Sequence, residues 1–333
     1  MTHAVRVCGV LALIAGAALL LALCTGSTAI APQDVLAAVF ARDASTAAEV
    51  VNRLRLPRAI AAFATGGLLA VAGALMQVLL RNPLADPYVL GLSGGAAVGA
   101  LVVMLAGLSG ALVSMGAFGG ALLSMTIVFA LANRDLAGRA TTGDVDAAPR
   151  LLLTGIVLAA GWSAVVTLLL AVAPERELRG ILFWLMGDLG GLQSAWPALA
   201  ALAAIVAVLL PWGRDLNVML RGATVARALG VPVANVRRLV FVLASVAAAL
   251  AVTTAGTVGF VGLIVPHALR LAIGNDQRVL LPACALAGGA LLVVADTLAR
   301  TAIAPQQLPV GAVTAVLGVP AFLYLLLRGG ARR

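Results

Sequence analysis

The chain has 333 residues, 62% of them hydrophobic and only 11% charged, with a formal net charge of +9. So apolar a composition excludes a soluble core-and-surface domain and makes the bilayer the solvent for most of the chain. All 22 basic side chains are arginines; a chain without lysine cannot build a Walker A phosphate loop and is not its own ATPase of that kind.

A helix needs about 20 apolar residues to cross about 30 Å of hydrocarbon. The hydropathy pattern predicts ten such spans, roughly 7–26, 59–80, 90–108, 111–132, 151–173, 193–212, 239–256, 258–274, 279–298 and 309–327. Helices are required, because an open sheet edge would leave backbone groups unpaired in lipid. The expected fold class is therefore all-α, a polytopic membrane protein forming one transmembrane domain over 1–333.

The first span follows a lone Arg6 and has the look of a signal-peptide core. Ala-x-Ala sites arise by chance in a chain this rich in alanine, however, and the span is read as retained. The second is bounded by Arg55-Leu56-Pro57-Arg58 on one side and by Arg81-Asn82-Pro83-Leu84-Ala85-Asp86-Pro87 on the other, where two prolines stop the helix. Leu92-Ser93-Gly94-Gly95-Ala96 in the third span is echoed by Leu286-Ala287-Gly288-Gly289-Ala290 in the ninth; such small-residue faces let helices approach closely. Between 175 and 191 a short surface helix is expected. The longest polar interruption near the middle is 213–238, within which Ala223 to Leu229 can form a short helix outside the membrane, stopped by Gly230 and Pro232. On composition alone it is an ordinary basic loop. From Thr253 to Gly262, three glycines allow a broken helix between two half-spans.

Ten spans put both termini on one side. Arg42, Arg53, Arg55, Arg58, Arg176, Arg179 and Arg300 fall on the opposite side, and the other fifteen arginines fall with the termini, which places the termini in the cytoplasm. The positive charge is this orienting bias and implies no nucleic-acid partner. Cys8, Cys24 and Cys284 lie in apolar runs without paired spacing, and His3 and His267 are far apart, so no metal site is expected. No catalytic residues can be assembled. A proton-coupled carrier needs an acid at mid-membrane, whereas Asp188 and Asp296 lie toward segment ends and Gln77 is neutral. An ion-coupled secondary transporter is the alternative reading, and a membrane enzyme a distant third.

The run from Arg55 to Ala100 resembles the signature of the permease subunits of binding-protein-dependent ABC importers for ferric siderophores, haem and cobalamin. Within it the matching positions include Gln77, Asn82, Pro83 and Pro87. Leu151-Leu152-Leu153-Thr154-Gly155 resembles the start of that family's fifth span. Gly259-Phe260-Val261-Gly262-Leu263-Ile264-Val265-Pro266-His267 with Arg270 resembles its second signature. Asp296-Thr297-Leu298-Ala299-Arg300 followed by Leu308-Pro309-Val310-Gly311 and Thr314 resembles its C-terminal one, with Gln307 in place of the usual Glu. The similarity is nearly full-length.

The resemblance implies two copies of this chain around a central path, two ATP-binding cassette subunits below and one periplasmic binding protein above, in the bacterial inner membrane. ATP and Mg would sit on the partner ATPase, and this chain would bind no cofactor. Gly222, Ala226, Arg227, Leu229, Gly230 and Val231 match the coupling segment that fits a cleft on the ATPase, although Ala223 stands where the family often has an acid. The cytoplasmic gate maps to Ala148 and Pro149, which replace the small hydroxyl residues of the cobalamin branch. Arg55, Arg58 and Arg300 map to the arginines that meet glutamates on the binding protein; on composition alone they are interfacial arginines snorkelling to water. Trp184-Leu185-Met186-Gly187-Asp188-Leu189-Gly190-Gly191 resembles the cobalamin permeases, yet siderophore and haem permeases carry related Trp-x-x-Gly segments. The cargo stays open between cobalamin, a ferric siderophore and haem, with a lean to cobalamin.

Overall fold

A computed structural model describes residues 2–26, 28–40, 45–136, 147–191 and 194–330. Fifteen α-helices make it up: α1 (Thr2–Cys24), α2 (Pro32–Phe40), α3 (Thr46–Val50), α4 (Leu56–Leu79), α5 (Leu92–Leu105), α6 (Ala111–Leu136), α7 (Ala147–Val172), α8 (Glu175–Leu185), α9 (Trp196–Leu209), α10 (Gly213–Met219), α11 (Ala223–Ala228), α12 (Val233–Ala255), α13 (Val261–Ile273), α14 (Gln277–Thr301) and α15 (Val310–Gly330). Among the described residues there is no strand. The chain is a multi-pass membrane protein. Seven helical segments are long and apolar enough to cross a bilayer, and three shorter apolar helices, Leu92–Leu105, Val261–Ile273 and Val310–Leu325, fall in the remaining three expected spans.

The second span is the hub. Its most apolar window is 89% buried inside the chain, against 6% for the window in α7, so one helix sits at the centre and the other at the surface. α4 packs against α14, α12, α13 and α9, while α5, α6 and α7 form a second group joined through α12. Composition explains why so many neighbours fit. A Cβ at Gly66 would strike the carbonyl of Gly288 on α14, and one at Gly73 would strike that of Gly262 on α13, so backbones touch where a side chain would hold them apart. The small-residue echo noticed in the sequence serves this purpose twice, since Gly95 on α5 likewise abuts Gly120 on α6.

Helix ends differ from the sequence expectation in informative places. The second span does not begin at 59: a π-helical turn, Val51–Arg55, fuses α3 to α4, giving one helical stretch, Thr46–Leu79. Its first turns carry Glu49, Asn52, Arg53 and Arg55, so hydropathy does not register them, although Ala48 and Val51 are buried in the core. α2 was not anticipated; it begins at Pro32, carries Asp34 in its first turn and buries Val35 and Ala38. The expected surface helix forms as α8 and ends at Leu185. The expected break after Thr253 is real. α12 stops at Ala255 and α13 starts at Val261, with Phe260 in the left-handed region at φ 70°.

Backbone groups freed by that break find partners from elsewhere, as burial in lipid demands. The Ala255 carbonyl accepts from Asp188 N (2.9 Å), Thr257 Oγ1 donates to the Leu185 carbonyl, and Val258 N donates to Tyr88 Oη (3.4 Å). The segment after α8 and the turn after α4 therefore fix the break.

Gly73→Leu is expected to push α4 off α13 and destabilise the chain by about 3 kcal/mol or more. Gly9→Leu, on a part of α1 with nothing nearby, is expected to be neutral. Thermal unfolding of the purified variants in detergent, with membrane insertion as a control, checks the contrast.

Candidate functional site

At the side opposite the termini, two charged residues of α14 meet one of α4. Asp296 is 1% exposed and accepts from Arg58 through Nε (3.1 Å to each carboxylate oxygen) and Nη2 (2.9 Å to Oδ1). Arg300, one turn further along α14, donates its Nε to Asp296 Oδ2 at 3.1 Å and its Nη2 to the Ala22 carbonyl of α1 at 3.4 Å. Arg58 also donates Nη1 to Gln307 Oε1 (3.0 Å). Two guanidiniums on one carboxylate leave the cluster with one net positive charge. The cluster ties α1, α4, α14 and the turn before α15 together.

Arg55 is placed differently from the sequence expectation. It is 6% exposed, and its guanidinium donates to the carbonyls of Leu23 (2.7 Å) and Thr28 (2.5 Å) and to Thr28 Oγ1 (3.3 Å). Three internal acceptors satisfy it, so it clamps the end of α1 to the start of α4 and does not reach outward. Arg58 and Arg300 are also less exposed than expected, with side chains 14% and 12% accessible. Asp296 draws both inward. Its role was legible in the i, i+4 spacing of Asp296 and Arg300, but its capture of Arg58 from 238 residues away was not.

At the other end, α10 and α11 lie between α9 and α12. Gly222 starts α11 at φ 109° and Gly230 ends it at φ 80°, conformations that a side chain disfavours. Ala226 and Val231 are buried and Gly222 packs against Arg81, while Arg227 donates Nε to the Ala223 carbonyl (3.3 Å). Leu229 is 61% exposed and Val225 stands out beside it. The helix is thus anchored by one face and presents leucine and valine on the other. Asn217, which sequence reasoning missed, fixes this unit: its Nδ2 donates to Asp276 Oδ1 (2.7 Å) and its Oδ1 accepts from Gln277 N (2.8 Å), bolting α10 to the start of α14.

The remaining motif positions shape the turns between helices. Gln77 is buried, with Nε2 3.4 Å from the carbonyls of Ala85 and Leu263. Asn82 Oδ1 accepts from Leu84 N (2.9 Å), with Pro83 exposed between them. Pro87 opens a 3-10 turn capped by Asp86 and packs on Gly262. Enclosure pushes the Asp86 carboxyl up to about 6, with the Tyr88 amide pulling the other way. Pro266 is buried within α13, and the His267 ring lies edge-on to Phe322 at 6.2 Å. Pro309 precedes α15, and Gly311 packs where a Cβ would strike the Met186 carbonyl. Ala148 and Pro149 lie in the first turn of α7, and their side chains fall outside the described residues.

The family model for the FecCD transport family matches residues 12–328. The cobalamin import system permease protein BtuC of Halobacterium salinarum is 46% identical over 287 residues, covering 84% of this chain and 74% of that protein. The vitamin B12 import system permease protein BtuC of Salmonella typhimurium is 39% identical over 316 residues, covering 93% and 91%. Among solved structures, a metal-chelate type ABC transporter in an inward-facing conformation superposes with a TM-score of 0.83 at 27% identity, covering 97% of this chain and 99% of that one. The chain belongs to the FecCD transport family and is a permease subunit of an ABC importer.

Asp296→Ala is expected to strand two partly enclosed guanidiniums and destabilise the chain by about 3 to 5 kcal/mol. Asp296→Leu combined with Arg58→Leu, which removes carboxylate and cation together, is expected to recover part of that loss. Thermal unfolding of the three proteins measures it.

Proposed function

We propose that this FecCD-family permease carries cobalamin from the periplasm to the cytoplasm across the inner membrane of a bacterium. The observation that supports this reading is the identity of 46% and 39% to permeases named for cobalamin and vitamin B12 import. The metal-chelate transporter, at 27% identity over nearly the whole chain, keeps a chelated metal such as a ferric siderophore or haem as the second reading.

Two copies of the chain form the path. The helices α7 and α15 carry the side chains this needs: Leu153, Ile156, Val157 and Leu168 on the first and Val316, Leu317 and Leu323 on the second are all exposed. Ala148 and Pro149, at the start of α7, form the cytoplasmic gate and close it by shape. Two ATP-binding cassette subunits, which hold ATP and Mg, dock on α11 through Leu229 and Val225. A periplasmic binding protein docks on the positive cluster of Arg58 and Arg300, whose shared carboxylate holds the guanidinium planes in place for an acidic partner. Arg55 supports that surface from below.

Two measurements test the reading. With the ATPase and binding protein in nanodiscs, cobalamin is expected to stimulate ATP hydrolysis and to accumulate on the cytoplasmic side; stimulation by haem or a ferric siderophore alone would transfer the assignment to a metal chelate. Leu229→Asp is expected to weaken ATPase association at least about 100-fold, or about 2.7 kcal/mol, while membrane insertion stays normal. Unchanged complex formation would move the interface elsewhere.

A further inference from the structure

α2 takes no part in the proposed path, the ATPase contact or the docking cluster, yet it holds three large apolar side chains in the open. Leu36 is 50% and Phe40 80% exposed, and Val39 is exposed with them. The helix is too short to cross a bilayer: nine residues rise roughly 14 Å, less than half of the hydrocarbon thickness.

Its side chains sort into three sectors. At about 100° per residue, Val35 and Ala38 fall together and are the buried pair, Pro32, Leu36, Val39 and Phe40 fill the next sector, and Gln33, Asp34 and Ala37 fill the third. A helix packed on a protein in water needs only two sectors, an apolar one against its support and a polar one outside. Three sectors in this order match a helix lying in the plane of the membrane boundary at the edge of a protein, with protein on one side, hydrocarbon below and water above.

Depth agrees with that placement. α2 packs on α1, α3 and the π-helical turn before α4. Its Ala38 carbonyl accepts from Asn52 Nδ2 at 2.9 Å, and Arg55 on the same π-helical turn donates to the Leu23 carbonyl at the end of α1. Leu23 lies roughly 26 Å along α1 from Arg6, close to the thickness of the hydrocarbon, so α2 is tied at the level where acyl chains give way to headgroups. The apolar side chains Leu13, Leu20 and Leu21 of α1 are exposed, and the free face of α2 continues that lipid-facing surface. Other occupants fit less well. The second copy is assigned to α7 and α15, whereas the neighbours of α2 are α1, α3 and the π-helical turn. An uncharged face gives an acidic binding protein nothing to pair with.

We propose that α2 is an in-plane membrane anchor. Leu36, Val39 and Phe40 enter the leaflet at the end away from the termini by roughly 5–10 Å, while Gln33 and Asp34 stay in water. Through Asn52 and the Arg55 clamp, the anchor fixes the level of the outer ends of α1 and α4 in the bilayer.

Full-length permease carrying Cys8→Ser, Cys24→Ser and Cys284→Ala is labelled with a nitroxide at Leu36→Cys, Phe40→Cys or Gln33→Cys, one at a time, in nanodiscs of mixed phosphatidylethanolamine and phosphatidylglycerol. Collisions with oxygen and with a neutral, water-soluble nickel chelate are compared by electron paramagnetic resonance, and thermal unfolding confirms that each labelled protein is folded. The oxygen-to-nickel ratio is expected to be at least about threefold higher at the Leu36 and Phe40 positions than at the Gln33 position, and to stay so when the binding protein is added. Equal ratios at the three positions would put the face in water. Low access to both reagents at the Leu36 and Phe40 positions would mean that protein covers it, and loss of oxygen access on addition of the binding protein would give the face to that partner. Each of these results would overturn the anchor.

Discussion

In a bilayer, apolar side chains gain little by leaving lipid for one another, so a helix can occupy the centre of a bundle only if other forces hold its neighbours to it. Everything in this chain depends on how α4 meets that constraint. Glycine and alanine along its length let α14 and α13 approach to backbone contact, where many weak dispersion contacts add up. Hydrogen bonds then act at its two ends, where water and headgroups begin. Arg55 and Arg58 hold the outer end, and Gln77 holds the inner one. A tightly packed centre with polar fastenings at the rims is stiff along its length.

α14 shows what that stiffness connects. Its first residues are bolted to the coupling unit through Asn217, and its last turn holds Arg58 through Asp296. The helix has 25 residues, roughly 37 Å at the helical rise, and the contacts at Gln277 and Asp296 lie roughly 29 Å apart along it. Pro282 lies near its inner end, before the part of the helix that packs on α4 through Gly288. Bending is therefore confined to one end, and the remainder moves with α4 as one body. The break between α12 and α13 contrasts with this: its Ala255 carbonyl and Val258 amide are held by Asp188 and Tyr88, and its Thr257 hydroxyl by the Leu185 carbonyl, from two other parts of the chain. Displacement of α8 must be felt at the break, because they share those bonds.

Much of this was legible in the sequence, and the limits were physical. Apolar run length reveals spans because hydrocarbon thickness is fixed, so the ten expected segments coincide with described helices. Glycines at Gly230 and Gly256 marked turns because few other residues adopt positive φ. Run length fails where charge interrupts a helix, as at Thr46–Arg55, since Glu49, Asn52, Arg53 and Arg55 break the apolar run without ending the helix. It also fails for α2, whose signals are a proline and an acid in ordinary loop-like company. Side-chain partnership is worse placed. That Arg55 is consumed by backbone carbonyls depends on where α1 ends relative to α4, and no local pattern encodes such a register.

The arginines at the outer end illustrate why motif positions and physical roles separate. Three arginines in related signatures look equivalent when each is judged by type and side of the membrane. Their neighbours distinguish them. Arg55 meets two carbonyls and a hydroxyl, neutral acceptors that take up three hydrogen bonds but leave its charge uncancelled, and burial makes that tolerable only because the acceptors converge from two segments. Arg58 and Arg300 meet a carboxylate that is itself buried, so each ion stabilises the others and removal of one exposes the rest to the full desolvation penalty. One negative charge cannot neutralise two positive ones. The surplus stays at the rim, where Gln307 offers a carbonyl oxygen and not a second carboxylate. An acid at that position would have cancelled the surplus; glutamine preserves it, and the outer end of the molecule stays positive where arginine is otherwise scarce.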